Sequence, residues 1–238
     1  MQPEGRTFLL TALLLAPVIG RAQASADPSG HWEGAVQTPN GELRLQIDLA
    51  KNQNGDLAGT ISIPAQNLKG LPLRKVSLDG RSVQFYARAD QPFAGALSPD
   101  GKSISGNLSF LGYALPMDMT RTGDATIAAP AKLAPISKEL EGTWEGTLEV
   151  EGTRFRLALI MSNQSGGSTA KMVNLDQGEL EVPVSAFTQT ASGITLELET
   201  IGGSYSATLN KEGSELSGTY KQGAVRAPLV FRLARGGQ

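Results

Sequence analysis

The chain has 238 residues, a formal net charge of −2, 28 glycines, 5% aromatic residues and no cysteine. The near-neutral balance removes the basic footprint of a nucleic-acid binder, and the length allows one or two domains. Without cysteine there are no disulfides, thiolate metal sites or cysteine nucleophile, and anchoring through a lipidated N-terminal cysteine is excluded.

In chain order, the first predicted element is a targeting segment. Arg6 precedes the apolar run Thr7 to Gly20, and Ala22-Gln23-Ala24 supplies the small-x-small pattern of a signal-peptidase site. The run is shorter than the ~20 apolar residues that a membrane-spanning helix requires. Residues 1–24 therefore read as a signal peptide cleaved near Ala24, which implies a secreted or periplasmic protein.

The rest is a duplication. Gly30-His31-Trp32-Glu33-Gly34 returns as Gly142-Thr143-Trp144-Glu145-Gly146, and these are the only two tryptophans. The register continues through Pro72 and Pro183, Val83 and Ile194, Phe93 and Tyr205, Ile104-Ser105-Gly106 and Leu216-Ser217-Gly218, and Pro116 and Pro228. Self-similarity held in register marks a repeated structural unit. The boundaries are 30–121 for copy one, an Ala/Pro-rich linker at 122–138, and 139–235 for copy two. Pro130 and Pro135 make that linker a semi-rigid spacer.

Within each copy, apolar and polar residues alternate with period two. Leu43, Leu45, Ile47 and Leu49 alternate with Arg44, Gln46 and Asp48; Ile194, Leu196 and Leu198 alternate with Thr195 and Glu197. This is the pattern of strands with one buried and one solvated face. Asn54-Gly55, Asp79-Gly80 and Asp100-Gly101 supply hairpin turns. Copy one divides into about eight strands, near 31–38, 42–50, 57–64, 70–78, 82–89, 92–98, 103–110 and 113–121. The predicted fold is all-β: two small antiparallel up-and-down barrels in tandem, each with an interior filled by side chains.

Motifs for chemistry are sparse. His31 is the only histidine; it reads as a surface residue at a strand start and forms no triad or metal cluster. Ser168-Thr169-Ala170-Lys171 matches Ser-x-x-Lys by spacing, but follows Gly166-Gly167 in a predicted hairpin with no partner motif. Glu145 and Glu149 share one strand face and read as solvated. Asn52, Asn54 and Asp56 lack the glycine and terminal glutamate of a calcium loop. Asn107 and Asn163 begin glycosylation sequons. Phe110 and Tyr113 flank one turn of copy one, where copy two has Gln222 and Val225. No catalytic, cofactor-binding or metal-ligating residue is assigned, and no cofactor is expected.

The Gly-x-Trp on the first strand resembles the signature of lipocalins and avidin-like proteins. The resemblance implies that each tryptophan closes a barrel end against an arginine from the last strand: Trp32 with Arg121, and Trp144 with Arg235 or, in another register, Arg232. The repeated unit also resembles the N-terminal module of exported bacterial α/β-hydrolases and β-lactamase-like serine hydrolases. That match is carried by Gly142-x-Trp144-x-Gly146, Asp176-Gln177-Gly178 with Pro183, Leu216-Ser217-Gly218-Thr219 and Pro228, and by their counterparts in copy one. The catalytic segment of those hydrolases has no counterpart here.

The expected function is an exported, non-catalytic binding or interaction module, accessory to an exported hydrolase or directed at an envelope component. Alternatives are a lipocalin-like carrier of a small apolar ligand, the N-terminal part of a truncated esterase- or peptidase-like serine hydrolase, and an enzyme with its site between the barrels. No nucleic acid or membrane span is expected.

Overall fold

The computed structural model describes residues 26–234 apart from Asn40 and Ser192. The signal-peptide reading and Arg235 lie outside the described residues.

Copy one comprises β1 (Gly30–Thr38), β2 (Gly41–Lys51), β3 (Leu57–Ile63), β4 (Leu68–Pro72), β5 (Arg74–Asp79), β6 (Ser82–Arg88), β7 (Gln91–Leu97), β8 (Ser103–Phe110) and β9 (Tyr113–Gly123). Copy two repeats them as β10 (Gly142–Val150), β11 (Thr153–Gln164), β12 (Gly167–Asn174), β13 (Leu180–Pro183), β14 (Ala186–Gln189), β15 (Gly193–Leu198), β16 (Gly203–Leu209), β17 (Glu215–Gln222) and β18 (Val225–Leu233). Both form a nine-stranded antiparallel sheet in the same order, β4-β3-β2-β1-β9-β8-β7-β6-β5 and its equivalent. The first strand lies at the centre and pairs with both the second and the last. The sheets curl into one nearly closed barrel and one half-barrel, so the all-β tandem architecture is as the alternation predicts.

Nine strands replace the expected eight because the predicted strand 70–78 changes partners midway. The Leu73 N–H still bonds the Gly59 carbonyl of β3 at 2.8 Å. One residue later, Arg74 stands opposite Tyr86 of β6. Lys75, at φ 50°, then interrupts the ladder. Copy two makes the same switch: Val184 N–H bonds Ala170 O, and Ser185 N–H bonds Glu197 O. The two sheet edges are thus successive stretches of one chain segment, which leaves less open edge to attract foreign strands.

The inward faces carry the alternating aliphatics. Trp32, Ile47, Leu49, Val83, Phe85 and Ile104 have no accessible surface, and neither do Trp144, Leu159, Leu196, Leu216 and Phe231. Phe85 stacks on Phe93 with centroids 4.6 Å apart, and Tyr205 meets Phe231 edge-on at 5.4 Å. A water-sized void beside any of these side chains would give it accessible surface, so the space against them is filled.

The linker is strapped down rather than standing as a spacer. Thr126 N–H donates to the Asp48 carboxylate of copy one at 2.8 Å. Leu133 and Ile136 are buried, and Leu133 bridges to Ser168 of copy two. Asn163 holds Ile136 from both sides: its Oδ1 accepts from Ile136 N–H and its Nδ2 donates to Ile136 O at 2.7 Å. Apolar residues among the Ala and Pro of this segment supply the packing that composition hides.

The copies also meet directly, and one of their contacts is made twice. Gly202, just before β16, backs onto the side chain of Asn67, just before β4; Gly178 backs onto the side chain of Asp90, just before β7. Asn67 and Gly178 are counterparts in the repeat, as are Asp90 and Gly202, so the junction is internally two-fold.

Candidate interaction surfaces

The repeated motif sits where the first strand of each copy pairs with the last. Each indole donates to a carbonyl four residues upstream at 2.9 Å, Trp32 to Pro28 and Trp144 to Leu140. A Cβ at Gly34 would lie 2.6 Å from Asp118 O, and one at Gly146 would lie 2.5 Å from Val230 O. The second glycine of Gly-x-Trp-x-Gly therefore permits close approach of the first and last strands.

The Arg121 guanidinium lies 4.7 Å from the Trp32 ring centroid, and its Nη2 donates to Asp27 O at 2.6 Å. Copy two differs. The residue opposite Trp144 is Leu233, which is the counterpart of Arg121, the residue opposite Trp32. Arg232 instead stands opposite Glu145 and forms an exposed ion pair with Glu215 at 3.0 Å.

His31 is half-buried rather than on the surface. Its Nδ1 is 2.9 Å from the Asp48 carboxylate that also receives Thr126 N–H. It helps to hold the linker to copy one, and copy two has Thr143 and Ile160 at these two positions. Ser168 is buried and donates to Asn163, whereas Lys171 pairs with Glu181 at 2.9 Å. The Ser-x-x-Lys spacing therefore brings no nucleophile and base together. Among the described residues no group of three or more His, Asp or Glu side chains is placed to hold a metal.

Concave features lie outside the barrel interiors among the described residues. The space at the junction, lined by Leu71, Leu73, Arg74, Lys171, Glu181 and Pro183, amounts to about 180 Å³, less than the ~300 Å³ at which ligand pockets begin. A shallow cleft of about 400 Å³ on β14 to β17 is lined by hydroxyls, among them Thr188, Thr195, Ser206 and Ser217.

A larger one, about 670 Å³, lies on the outer face of β10, β11 and β18, with Glu145, Glu149, Arg154, Arg156, Val230 and Arg232 in its lining. Arg156 Nε and Nη2 both donate to Asp176 Oδ1, at 2.8 and 2.6 Å, and Arg156 N–H donates to Oδ2. The Arg156 hydrogen bonds hold the Asp176 carboxyl below its ordinary pKa and raise that of Arg156. The same face of copy one carries Glu33, Gln37, Glu42, Arg44, Asp118 and Thr120. Copy one thus presents three carboxylates to one guanidinium, and copy two presents two carboxylates to three. The barrel tolerates both sets, so closure does not dictate the charges of copy two. Glu145 and Glu149 are legible in the sequence as one strand face; the arginines are not, because β11 and β18 bring them from distant segments.

Another feature protrudes. At the β8–β9 turn Leu111 is 75% and Tyr113 72% exposed, while Phe110 is half-buried.

Comparison with protein-family models and with curated proteins finds no match. Among solved structures, the chain is similar to a "putative outer membrane protein" from Bacteroides fragilis, with 14% identity, 87% of this chain and 97% of that chain covered, and a TM-score of 0.28. It is also similar to a protein of unknown function from the DUF3598 family of Nostoc punctiforme, with 10% identity, 85% and 94% covered, and a TM-score of 0.26. No helix among the described residues is long and apolar enough to cross a membrane.

Proposed function

We propose that this chain is an exported, non-catalytic binding or interaction module, made of a signal peptide (1–24), two barrel copies (30–121 and 139–235) and a strapped linker (122–138). It serves a secreted or envelope hydrolase, or recognises an envelope component directly. One observation carries the reading: the inward side chains are sealed, while the outer groove of copy two bears charges that closure does not require. A carrier of apolar ligands needs interior volume, which these side chains occupy. An enzyme site between the barrels needs a cleft larger than the junction space. The resemblance to hydrolase-linked modules supports an accessory role.

The test uses the charges of copy one as a natural substitution set. Arg154→Glu with Arg232→Thr gives the groove of copy two the charge count of copy one, three carboxylates to one guanidinium. The immobilised chain from Ser25 onward should capture a defined component from its own envelope extract, and the double variant should lose it. Equal capture by both would sink the groove as the recognition surface. Turnover of a generic ester by the purified chain would overturn the non-catalytic reading.

A further inference from the structure

The β8–β9 hairpin carries a feature that neither closure nor the groove uses. Leu111 and Tyr113 expose 75% and 72% of their surface at its tip. Leu111 holds φ 49° in the left-handed region, where a side chain is unfavourable and glycine is the ordinary solution. Of the five described non-glycine residues at positive φ, Asn67, Lys75, Glu151 and Glu179 are polar or charged; Leu111 alone is apolar.

Copy two serves as an internal control. Its matching turn places Gly223 at φ 55°, flanked by Gln222 and Val225 and then by Lys221 opposite Arg226. The fold therefore accepts glycine and charges here. Copy one has instead a backbone-disfavoured leucine with no packing in return, and no charged residue between Lys102 and Asp118. The two-residue turn accounts for the positive φ, as it does at Glu151 and Gly152, but nothing in the turn calls for an exposed apolar side chain there.

We propose that this tip inserts into the interfacial region of a lipid bilayer, with Leu111 and Tyr113 as the inserting side chains. The two side chains expose an area on the order of 300 Å², well below the ~800 Å² per partner of a stable protein interface. Lipid demands only apolar projection and the absence of charge. Tyrosine suits the headgroup level, with its ring toward the acyl chains and its hydroxyl in water. Insertion is peripheral: a hairpin tip reaches the headgroup and upper acyl region and does not span.

The experiment is co-sedimentation of the chain from Ser25 onward, which retains every described strand, with phosphatidylcholine–phosphatidylethanolamine vesicles, with and without phosphatidylglycerol. The wild type should partition to both, with little dependence on salt. Leu111→Gly with Tyr113→Ser should lower partitioning by about tenfold or more, and Leu111→Gly alone should keep or raise the melting temperature. Wild type left in the supernatant with every vesicle, or a double variant that partitions equally, overturns the proposal. So does binding that requires phosphatidylglycerol and vanishes in salt, or a concentration-dependent dimer abolished by the double variant. The groove variant Arg154→Glu/Arg232→Thr should bind vesicles normally, so failure of the groove reading and failure of this one are distinguishable.

Discussion

Asn67 and Gly202 face each other across the junction, and the repeat makes the same contact a second time as Gly178 against Asp90. Both glycines have positive φ, 60° at Gly202 and 62° at Gly178, and a Cβ on either would run into the opposing side chain. Alanine at either site takes on left-handed strain and makes the opposing Asn67 or Asp90 side chain swing aside, so each substitution should cost about 1–2 kcal/mol. Urea unfolding followed by tryptophan fluorescence checks this, because one tryptophan reports on each copy. The double variant should separate the two unfolding transitions; a single unshifted transition would show that the junction contributes nothing.

Arg121 and Leu233 test what closes the barrel ends. Arg121 offers a cation–π contact of about 0.5–2 kcal/mol, but its Nε is buried without a partner, which offsets part of that gain. Leu233 fills the equivalent place with carbon alone, and a Cβ at Gly142 would lie 3.3 Å from its Cδ1. Arg121→Leu should therefore stay within about 1 kcal/mol of wild type, whereas Arg121→Ala should lose about 1–2 kcal/mol through the missing stem against Gly30. Comparable losses in both variants would restore the charge as the main element.

This pair also marks how much the sequence could reveal. Alternation, turn residues and the repeat yield the strands and the tandem, because these are local patterns of period and spacing. The partner of Trp144 is not legible: Arg232 and Arg235 both lie near the expected spacing, but one residue of register decides which residue stands opposite the tryptophan, and the structure puts Leu233 there, 37% exposed. The same limit hid the groove, whose arginines come from β11 and β18, and the fixed linker, whose Leu133 and Ile136 look like isolated residues until Asn163 and Ser168 are placed beside them. Leu111 stands out only against the aligned turn of copy two, where Gly223 takes its place.

The linker contacts predict a local opening. Asn163→Ala removes both bonds to Ile136 and the acceptor of Ser168 Oγ; Ile136 N–H keeps Ser168 Oγ, but Ile136 O and the Ser168 hydroxyl lose their partner at a cost of about 1–3 kcal/mol. The strap should detach before either barrel unfolds. Limited proteolysis between Thr126 and Ala134 should accelerate in the variant while near-ultraviolet circular dichroism of the tryptophans is retained. Unchanged cleavage would mean that Leu133 burial alone holds the strap.

Tyr205 makes copy two sensitive to alkali. Its hydroxyl donates to Leu216 O at 3.0 Å and to Leu229 O at 3.1 Å, and burial raises its pKa well above the ordinary tyrosine value, with nearby Glu215 adding to the effect. Burial also pushes the Tyr220 hydroxyl up to about 12. Both groups hold their protons more tightly in the folded chain than in the unfolded one. Their contribution is fully present below the unfolded value near 10 and is lost as pH rises from there toward the folded values. Urea midpoints should therefore fall between pH 9 and 12, and more steeply for wild type than for Tyr205→Phe. The phenylalanine variant should be about 1 kcal/mol less stable at pH 8, because two carbonyls lose a donor, while copy one already tolerates Phe93 at this position. Parallel pH profiles for the two proteins would rule out Tyr205 as the source of the alkaline loss.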